Sequence, residues 1–188
     1  MQPSSCLSAP TDLVAMIPLP LLESVFGHKA WADDALLSRL RDVDAEAHAD
    51  ARHAALRILN HIHVVDRIFA AHLEGRPHGY TATNTSETPT LDALHAAVRE
   101  TDQGYLALIG ALSADALAEP IRFTFTDGDV GCMTRAEMLL HVALHGSNHR
   151  GAVGRILTQL GVAPPRDLFT GFLHRQQPQR REAGAAPA

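Results

Sequence analysis

The chain has 188 residues, of which 46% are hydrophobic, so it can bury one substantial core and a single domain is expected. Its formal net charge of −5 and pI of about 6.1 argue against nucleic acid as a standing partner. Two cysteines, Cys6 and Cys132, are too few for a disulfide framework, and a reducing compartment fits this count. No basic residue precedes Lys29 and the N-terminus has no long apolar run, so we expect no secretory signal, no membrane span and a cytoplasmic protein.

The first predicted helix follows an irregular lead-in over residues 1–18, which are rich in Ser and Pro. Pro20 suits the first turn, and the helix continues to about Arg41. Asp33 falls in the middle of the apolar face, where a carboxylate is costly to bury without a partner. Two interpretations of Asp33 stay open: it reaches a metal site, or it pairs structurally. The apolar face consists of Leu22, Phe26, Leu36, Leu37 and Leu40.

A second helix is predicted from about His53 to Glu74, with Gly75 as its C-terminal cap. Two of its histidines lie two residues apart and therefore point about 160° away from each other. His61 lies on the flank of the apolar stripe and His63 lies largely opposite to it. His61 is therefore the candidate if this helix supplies a metal ligand. The stripe consists of Ile58, Ile62, Val65 and Phe69.

A polar loop over residues 75–89 separates the second helix from the third. Thr88 and Pro89 fit the N-cap and the first turn of this third helix, which runs to about Leu112. Its inward positions are Leu91, Leu94, Val98, Tyr105 and Leu108.

A short extended connection precedes the last helix. Residues 121–125 alternate between apolar and polar, and Asp127-Gly128 is a turn signal, so a hairpin or an extended crossover is expected. A capping-box pattern over residues 134–137 begins the fourth helix, and Gly161 ends it.

Four long amphipathic segments without internal repeats indicate an all-α four-helix bundle over residues 19–174, with the hairpin crossover before the last helix. The loops after the second and third helices are long enough for a crossover, so up-down-up-down order is not assured. The polar tail over residues 175–188 is expected to be disordered.

Three histidines at four-residue spacing, His141, His145 and His149, mark the last helix. Residues four apart lie on nearly the same helix face with Cβ atoms about 6 Å apart, so two such imidazoles can bind one metal ion. The outer two are about 12 Å apart along the axis, too far to share an ion held at about 2.0–2.1 Å per nitrogen. We predict His145 and His149 as ligands, because they fall near the centre of the apolar stripe, and His141 as a rim group. The stripe consists of Met138, Val142, Val153, Ile156 and Leu160.

Two better-known metal signatures do not fit. The zinc-peptidase motif requires Glu directly after its first His, and Gly146 stands at that position. Di-iron bundles use Glu-x-x-His pairs and further carboxylates, which are missing here. A mononuclear site is therefore favoured, with His61 as the third ligand and one position open for water or substrate. The alternative is that these histidines are ordinary core or surface residues.

Residues 59–67 of the second helix, residues 145–151 of the fourth and the Trp-Ala-Asp at 31–33 resemble the DinB/YfiT-like family, over roughly residues 21–170. The resemblance implies a four-helix bundle that holds one divalent ion on three histidines, and often a homodimer. The ligands would be His61, His145 and His149. Ala152 stands where relatives commonly have Gln, and Asp33 where they often have Asn. These departures remove no ligand but alter what surrounds the ion.

The resemblance also implies chemistry. Characterised relatives include thiol-dependent S-transferases and a thiol-dependent maleylpyruvate isomerase. The leading hypothesis is an enzyme that uses a divalent metal, with zinc or nickel expected first, to activate a low-molecular-weight thiol or water for transfer to a small electrophile. We expect His141 or Asp33 to accept a proton or orient a ligand, and Arg150 to pair between helices. A metal-dependent hydrolase and a non-catalytic, metal-stabilised stress or interaction protein are the alternatives.

Overall fold

The computed structural model describes residues 18–182, and their main body is a bundle of four long helices. The elements in chain order are α1 (Leu19–Arg39), a 3-10 turn (Leu40–Asp42), α2 (Ala49–Leu73), α3 (Leu91–Gly110), a 3-10 turn (Asp115–Ala118), β1 (Pro120–Thr124), β2 (Val130–Thr134), α4 (Arg135–Gln159), α5 (Phe169–Gln176) and a 3-10 turn (Pro178–Arg180). The predicted all-α bundle with a short hairpin before the last long helix is confirmed.

The four long helices do not follow one another around the bundle. α1 packs against α3 and α4, and α2 packs against the same two helices. α1 and α2 therefore lie diagonally across the bundle, and the connection over residues 40–48 crosses it. As a result α2 and α4, which carry the predicted histidine ligands, are direct neighbours.

The hairpin leads directly into α4. β1 and β2 pair antiparallel, with Phe123 opposite Gly131. The predicted capping box is confirmed: the Thr134 hydroxyl accepts from the backbone N–H of Glu137 at 3.2 Å, and the Glu137 carboxylate accepts from the N–H of Thr134 at 2.7 Å. Two otherwise unpaired N–H groups are satisfied in this way, so the helix begins where the strand ends.

Two predicted helix starts are wrong. α2 begins at Ala49 rather than near His53. α3 begins at Leu91, because the Thr90 hydroxyl accepts from the N–H of Ala93 at 3.2 Å and so caps the helix. Thr88 and Pro89 belong to the loop before it.

The structure adds a fifth helix that the sequence pattern did not predict. Phe172 of α5 is buried and packs against Trp31 and His28 of α1. One buried aromatic residue in eight leaves no periodic pattern. The predicted disorder from residue 175 is wrong for the last residues of α5, which ends at Gln176, and for the 3-10 turn Pro178–Arg180. Residues 1–17 of the predicted lead-in and residues 183–188 of the tail lie outside the described residues, and the domain boundaries and the homodimer stay predictions.

The core consists of two hydrophobic clusters stacked along the bundle. One lies at the hairpin end and contains Leu22, Phe26, Phe69, Tyr105, Phe123, Met138 and Val142. The other lies at the opposite end and contains Leu36, Leu37, Leu59, Ile62, Leu94, Val98, Val153 and Leu157. Between them, each long helix contributes polar residues to a middle layer, which includes Lys29, Asp33, Asp66, Asp102, His145, His149 and Arg150.

Among residues 18–182, every helix is too short or too polar to cross a lipid bilayer. Cys132 lies on β2, and the sequence's other cysteine, Cys6, lies outside the described residues.

Candidate metal centre

Three half-buried histidines from two neighbouring helices converge in the middle layer. His61 of α2 and His145 and His149 of α4 each offer one ring nitrogen, and these three atoms lie within 4.8 Å of one another. The ring centroids are separated by 4.5 to 4.9 Å. We call this group the histidine trio. It contains the three residues predicted as ligands.

The ring of His61 is oriented by the loop that follows α2. Its Nδ1 lies 2.7 Å from the carbonyl oxygen of Thr83, which can only accept, so the ring proton is assigned to Nδ1. The lone pair is then on Nε2, which lies 3.0 Å from Nε2 of His145. A histidine that donates its other N–H to a carbonyl is the usual arrangement of a metal ligand.

The loop is itself fastened to α2 by polar side chains that the sequence analysis missed. The amide of Asn60 donates to Asn84 Oδ1 at 2.5 Å and to Thr85 Oγ1 at 2.6 Å. The amide of Asn84 in turn donates to the carbonyl of Arg57 at 2.9 Å. Asn60 precedes His61 in the sequence, and this adjacency is the one signal that pointed to it.

Burial lowers the pKa of two of the three histidines of the trio. Burial, followed by the nearby His149 and His61, lowers the pKa of His145 to about 4. Burial and then His61 lower the pKa of His149 as well. Neutral imidazoles offer the lone pairs that a metal ion requires, whereas imidazolium groups would repel it.

The residues present fit a divalent transition metal. Two nitrogen atoms bound to one zinc ion at about 2.0–2.1 Å lie at most about 4.2 Å apart, and the trio's atoms all lie within 4.8 Å of one another, so small side-chain rotations suffice. Nε2 of His145 lies 3.0 Å from Nε2 of His61, whereas its buried Nδ1 has no hydrogen-bond partner among the described residues, so only one of its two ring nitrogens is satisfied. Three imidazoles leave a fourth position for another group.

His141 lies next to the trio, on its rim, as predicted. Its ring stacks on His145 with centroids 5.6 Å apart, and lies 4.7 Å from the ring of Phe69. Burial lowers the pKa of His141, so it is neutral at pH 7 and able to accept a proton.

Asp33 does not contact the trio. One of its carboxylate oxygens lies 2.9 Å from Lys29 Nζ and the other lies 3.2 Å from Arg150 Nη1. Both oxygens are thus occupied by cations, and the structural interpretation of Asp33 replaces its predicted role as proton acceptor or ligand-orienting group. The pairing of Arg150 between helices is confirmed.

Asp33 belongs to a buried ionic network around Lys29. Lys29 Nζ also lies 2.7 Å from Asp66 and 2.6 Å from Asp102, so carboxylates from three helices surround one ammonium group. Although burial lowers the pKa of Lys29, these three carboxylates raise it well above its ordinary value. We call this set, together with Arg150, the lysine network.

Gly146 separates the trio from the lysine network. A Cβ atom there would lie 3.1 Å from Arg150 Nη1 and 3.7 Å from Lys29 Cε. A side chain at this position would therefore crowd the guanidinium group of Arg150, while its Cβ would make only an ordinary contact with Lys29.

An apolar cavity of about 360 Å³ opens beside the trio. One part of its wall is formed by His61, His141 and His145, and the hairpin closes another part. The sequence did not predict this contribution of the hairpin. The remaining wall includes Val65, Ile68, Phe69, Phe123, Phe125 and Met133.

The DinB family matches residues 19–182 of the chain, and the chain therefore belongs to this family. No curated protein and no solved structure matched it. The family assignment agrees with the resemblance seen in residues 59–67 and 145–151, and it covers the bundle together with α5.

Proposed function

We propose that this protein binds one divalent transition metal, zinc or nickel, on His61, His145 and His149, and that it catalyses thiol transfer to a small electrophile. The observation that carries the proposal is the convergence of three imidazoles at the wall of an apolar cavity. A metal in such a site lowers the pKa of a thiol or water and so supplies a nucleophile at neutral pH.

The protein's own groups have distinct roles in this proposal. Thr83 holds His61 in the tautomer whose Nε2 lone pair points towards His145. The apolar wall excludes water from the electrophile, which strengthens electrostatic interactions inside the cavity. His141 lies on the wall between the trio and Phe69, where a neutral imidazole can accept a proton.

The proposed reaction balances without an oxidant or a reductant. The thiol sulfur forms a bond to an electrophilic carbon, and the bond from that carbon to its leaving group breaks. The leaving group departs with the bonding electron pair, and the thiol proton passes to His141 or to solvent.

The test combines metal analysis with a thiol-transfer assay. Protein purified without an affinity tag is analysed for bound metals, and the zinc- and nickel-loaded forms are then assayed with chlorodinitrobenzene and cysteine, glutathione or coenzyme A. We expect one equivalent of metal and formation of the aryl thioether above the uncatalysed rate. His149→Ala should lose both the metal and the turnover, because two imidazoles hold an ion far less tightly than three.

His53→Ala is the matched control, since His53 is exposed on α2 and lies outside the trio. It should retain both the metal and the rate. Metal binding without turnover for any thiol would favour a non-catalytic, metal-stabilised protein over an enzyme. Absence of metal binding would overturn the proposal as a whole. Ester hydrolysis by the loaded protein without thiol would instead favour the hydrolase.

A further inference from the structure

The cavity beside the trio differs in charge from other cavities of the bundle. Its lining contains no Asp, Glu, Lys or Arg. Three further cavities in the described part of the chain each include charged side chains, among them Arg150 and Asp167 in one, Arg67 and Glu100 in another and Glu87 in the third. Among these four cavities, the one next to the candidate metal ligands is therefore the one without Asp, Glu, Lys or Arg in its lining, and it offers no Lys or Arg to an anionic substrate.

The hairpin gives this cavity an aromatic wall. Phe123 and Phe125 are two residues apart, and their ring centroids lie 4.8 Å from each other, while Phe69 of α2 lies 5.9 Å from Phe123. Gly131 on the facing strand permits this arrangement, because a Cβ atom there would lie 2.7 Å from the ring of Phe123 and 2.8 Å from that of Phe125. Edges and faces of three phenyl rings suit a flat, unsaturated ligand.

The polar side chains in the wall are of types that form hydrogen bonds, and none is a carboxylate, an ammonium or a guanidinium group. They are imidazoles and the hydroxyl groups of Thr83 and Thr126. At the end away from the trio, burial and then the neighbouring His78 lower the pKa of His72, so that imidazole carries no charge at pH 7. A carboxylate or phosphate entering the cavity would lose its hydration without meeting a Lys or Arg side chain of the wall. The proposed metal ion does not fill this role, because the thiol takes its open position.

We propose that the electrophile taken by this site is an uncharged, mainly apolar molecule with one to three rings, bound against the phenyl groups of the hairpin. The inference rests on the proposed function, since the cavity shares His61 and His145 with the trio. The volume of about 360 Å³ supports a small ligand, because it lies at the low end of the range of about 300–1,000 Å³ for small-molecule sites.

A pair of fluorescent probes tests the charge requirement. N-phenylnaphthylamine is neutral, and anilinonaphthalene sulfonate has the same rings with an added anionic group. Titrated separately into metal-free protein, the neutral probe should bind at least about tenfold more tightly than the anionic one, because burial of an unpaired anion is costly. Equal or tighter binding of the sulfonate would overturn the proposal.

Two threonines of the hairpin region provide matched charge variants. Thr126 is part of the cavity wall, whereas Thr124 is exposed and is not. Thr126→Lys should tighten binding of the sulfonate several-fold and weaken that of the neutral probe, while Thr124→Lys adds the same charge and should change neither. Identical effects of the two substitutions would show that the probes bind the surface and not the cavity.

Binding at exposed apolar side chains is tested in the same way. Phe125→Ala removes part of the aromatic wall and should weaken the neutral probe several-fold, whereas Leu144→Ala removes an exposed leucine of α4 that is not part of the cavity. The Leu144 variant should bind like the wild type. The reverse order of effects would overturn the assignment of the ligand to this cavity.

Zinc titration of the same samples separates the two proposals. If zinc binds and the neutral probe does not, the substrate class is wrong and the proposed function stands. If the neutral probe binds with the expected preference and zinc does not, the proposed function fails, and so does the inference that this ligand is its electrophile.

Discussion

The middle layer of the bundle contains two polar clusters that differ in how their side chains find partners. In the lysine network, the ammonium group of Lys29 meets three carboxylates at 2.6–2.9 Å, and all of these side chains are buried. In the histidine trio, half-buried imidazoles of one kind face one another, and His145 Nδ1 has no partner among the described residues. Gly146 lies between the two clusters.

This difference indicates which cluster is structural and which is a binding site. The network pairs one ammonium group with three carboxylates and so contains its own counter-ions, although Oδ1 of Asp66 has no hydrogen-bond partner among the described residues. The trio consists of three groups with the same donor chemistry and contains no counter-ion, and this is the kind of group that can hold an added cation. Perturbed pKa values occur in both clusters, so the pKa values alone do not distinguish them.

The largest expected effect is on the stability of the lysine network. Lys29→Met leaves Asp33, Asp66 and Asp102 without their shared cation, and we expect a loss of about 3–5 kcal/mol in the free energy of unfolding by urea. Arg39→Met is the control, because the pair of Arg39 with Asp42 is exposed and its loss should cost less than about 1 kcal/mol. Equal losses of unfolding free energy in the two variants would show that the lysine network does not have the proposed structural role.

The second effect concerns the trio. At a free zinc concentration of about 100 times Kd, the free energy of unfolding should rise by about 2.7 kcal/mol. His145→Ala should abolish this gain, because it removes a central ligand. His141→Ala should keep the gain, since His141 lies on the rim, and calorimetry with and without zinc measures both. A gain retained by His145→Ala would contradict the assignment of ligands.

A third variant tests whether the two clusters are independent. Asp33→Asn weakens the charge-assisted contacts with Lys29 and Arg150, and we expect a loss of about 1.5–3 kcal/mol of stability. Its zinc affinity, measured by competition with a chromophoric chelator, should equal that of the wild type. A tenfold weaker affinity would show that Asp33 acts on the metal site after all.

The smallest expected effect is a change of the unfolding free energy with pH, which arises from Asp66 in the lysine network. Burial raises the pKa of Asp66 to about 7. Between its ordinary pKa and about 7 the folded state retains a proton that the unfolded state has lost, so this group lowers the unfolding free energy as the pH rises, by up to about 1.4 kcal/mol per pH unit.

Asp66→Asn lacks this ionisation. The unfolding free energy of the wild type minus that of the variant, measured with a chelator present, should therefore fall from about pH 4 to about pH 7. Histidines with lowered pKa values, His63 and His145, act in the opposite direction but are present in both proteins and cancel. A difference that is flat or rises with pH would contradict the raised pKa of Asp66.

Much of the fold could be predicted from local patterns. The apolar stripe with Phe26 and Leu37, the capping box at Thr134 and the turn at Asp127-Gly128 each depend on neighbours within a few residues. The start of α3 was misplaced because Thr88 and Thr90 carry the same hydroxyl group, and only the bond from Ala93 distinguishes them.

The candidate site likewise combines relations that follow from local sequence with contacts that only the tertiary structure shows. The relation of His145 to His149 follows from helical spacing alone. The nearness of His61 depends on α2 lying beside α4, and the role of Asp33 depends on Lys29 and Arg150, which are 4 and 117 positions away. The lining of the cavity by Phe123 and Phe125 also requires the hairpin to fold over α2 and α4.

By itself, the sequence determined the four amphipathic helices, the hairpin and the pair of histidines one turn apart, because each is a periodic or short-range relation between neighbouring residues. The tertiary structure alone decided that a third imidazole completes the trio, that Asp33 is neutralised by cations and that α5 covers α1. These outcomes depend on contacts between distant segments, and they are settled by the packing of whole helices and the pairing of buried charges rather than by local spacing.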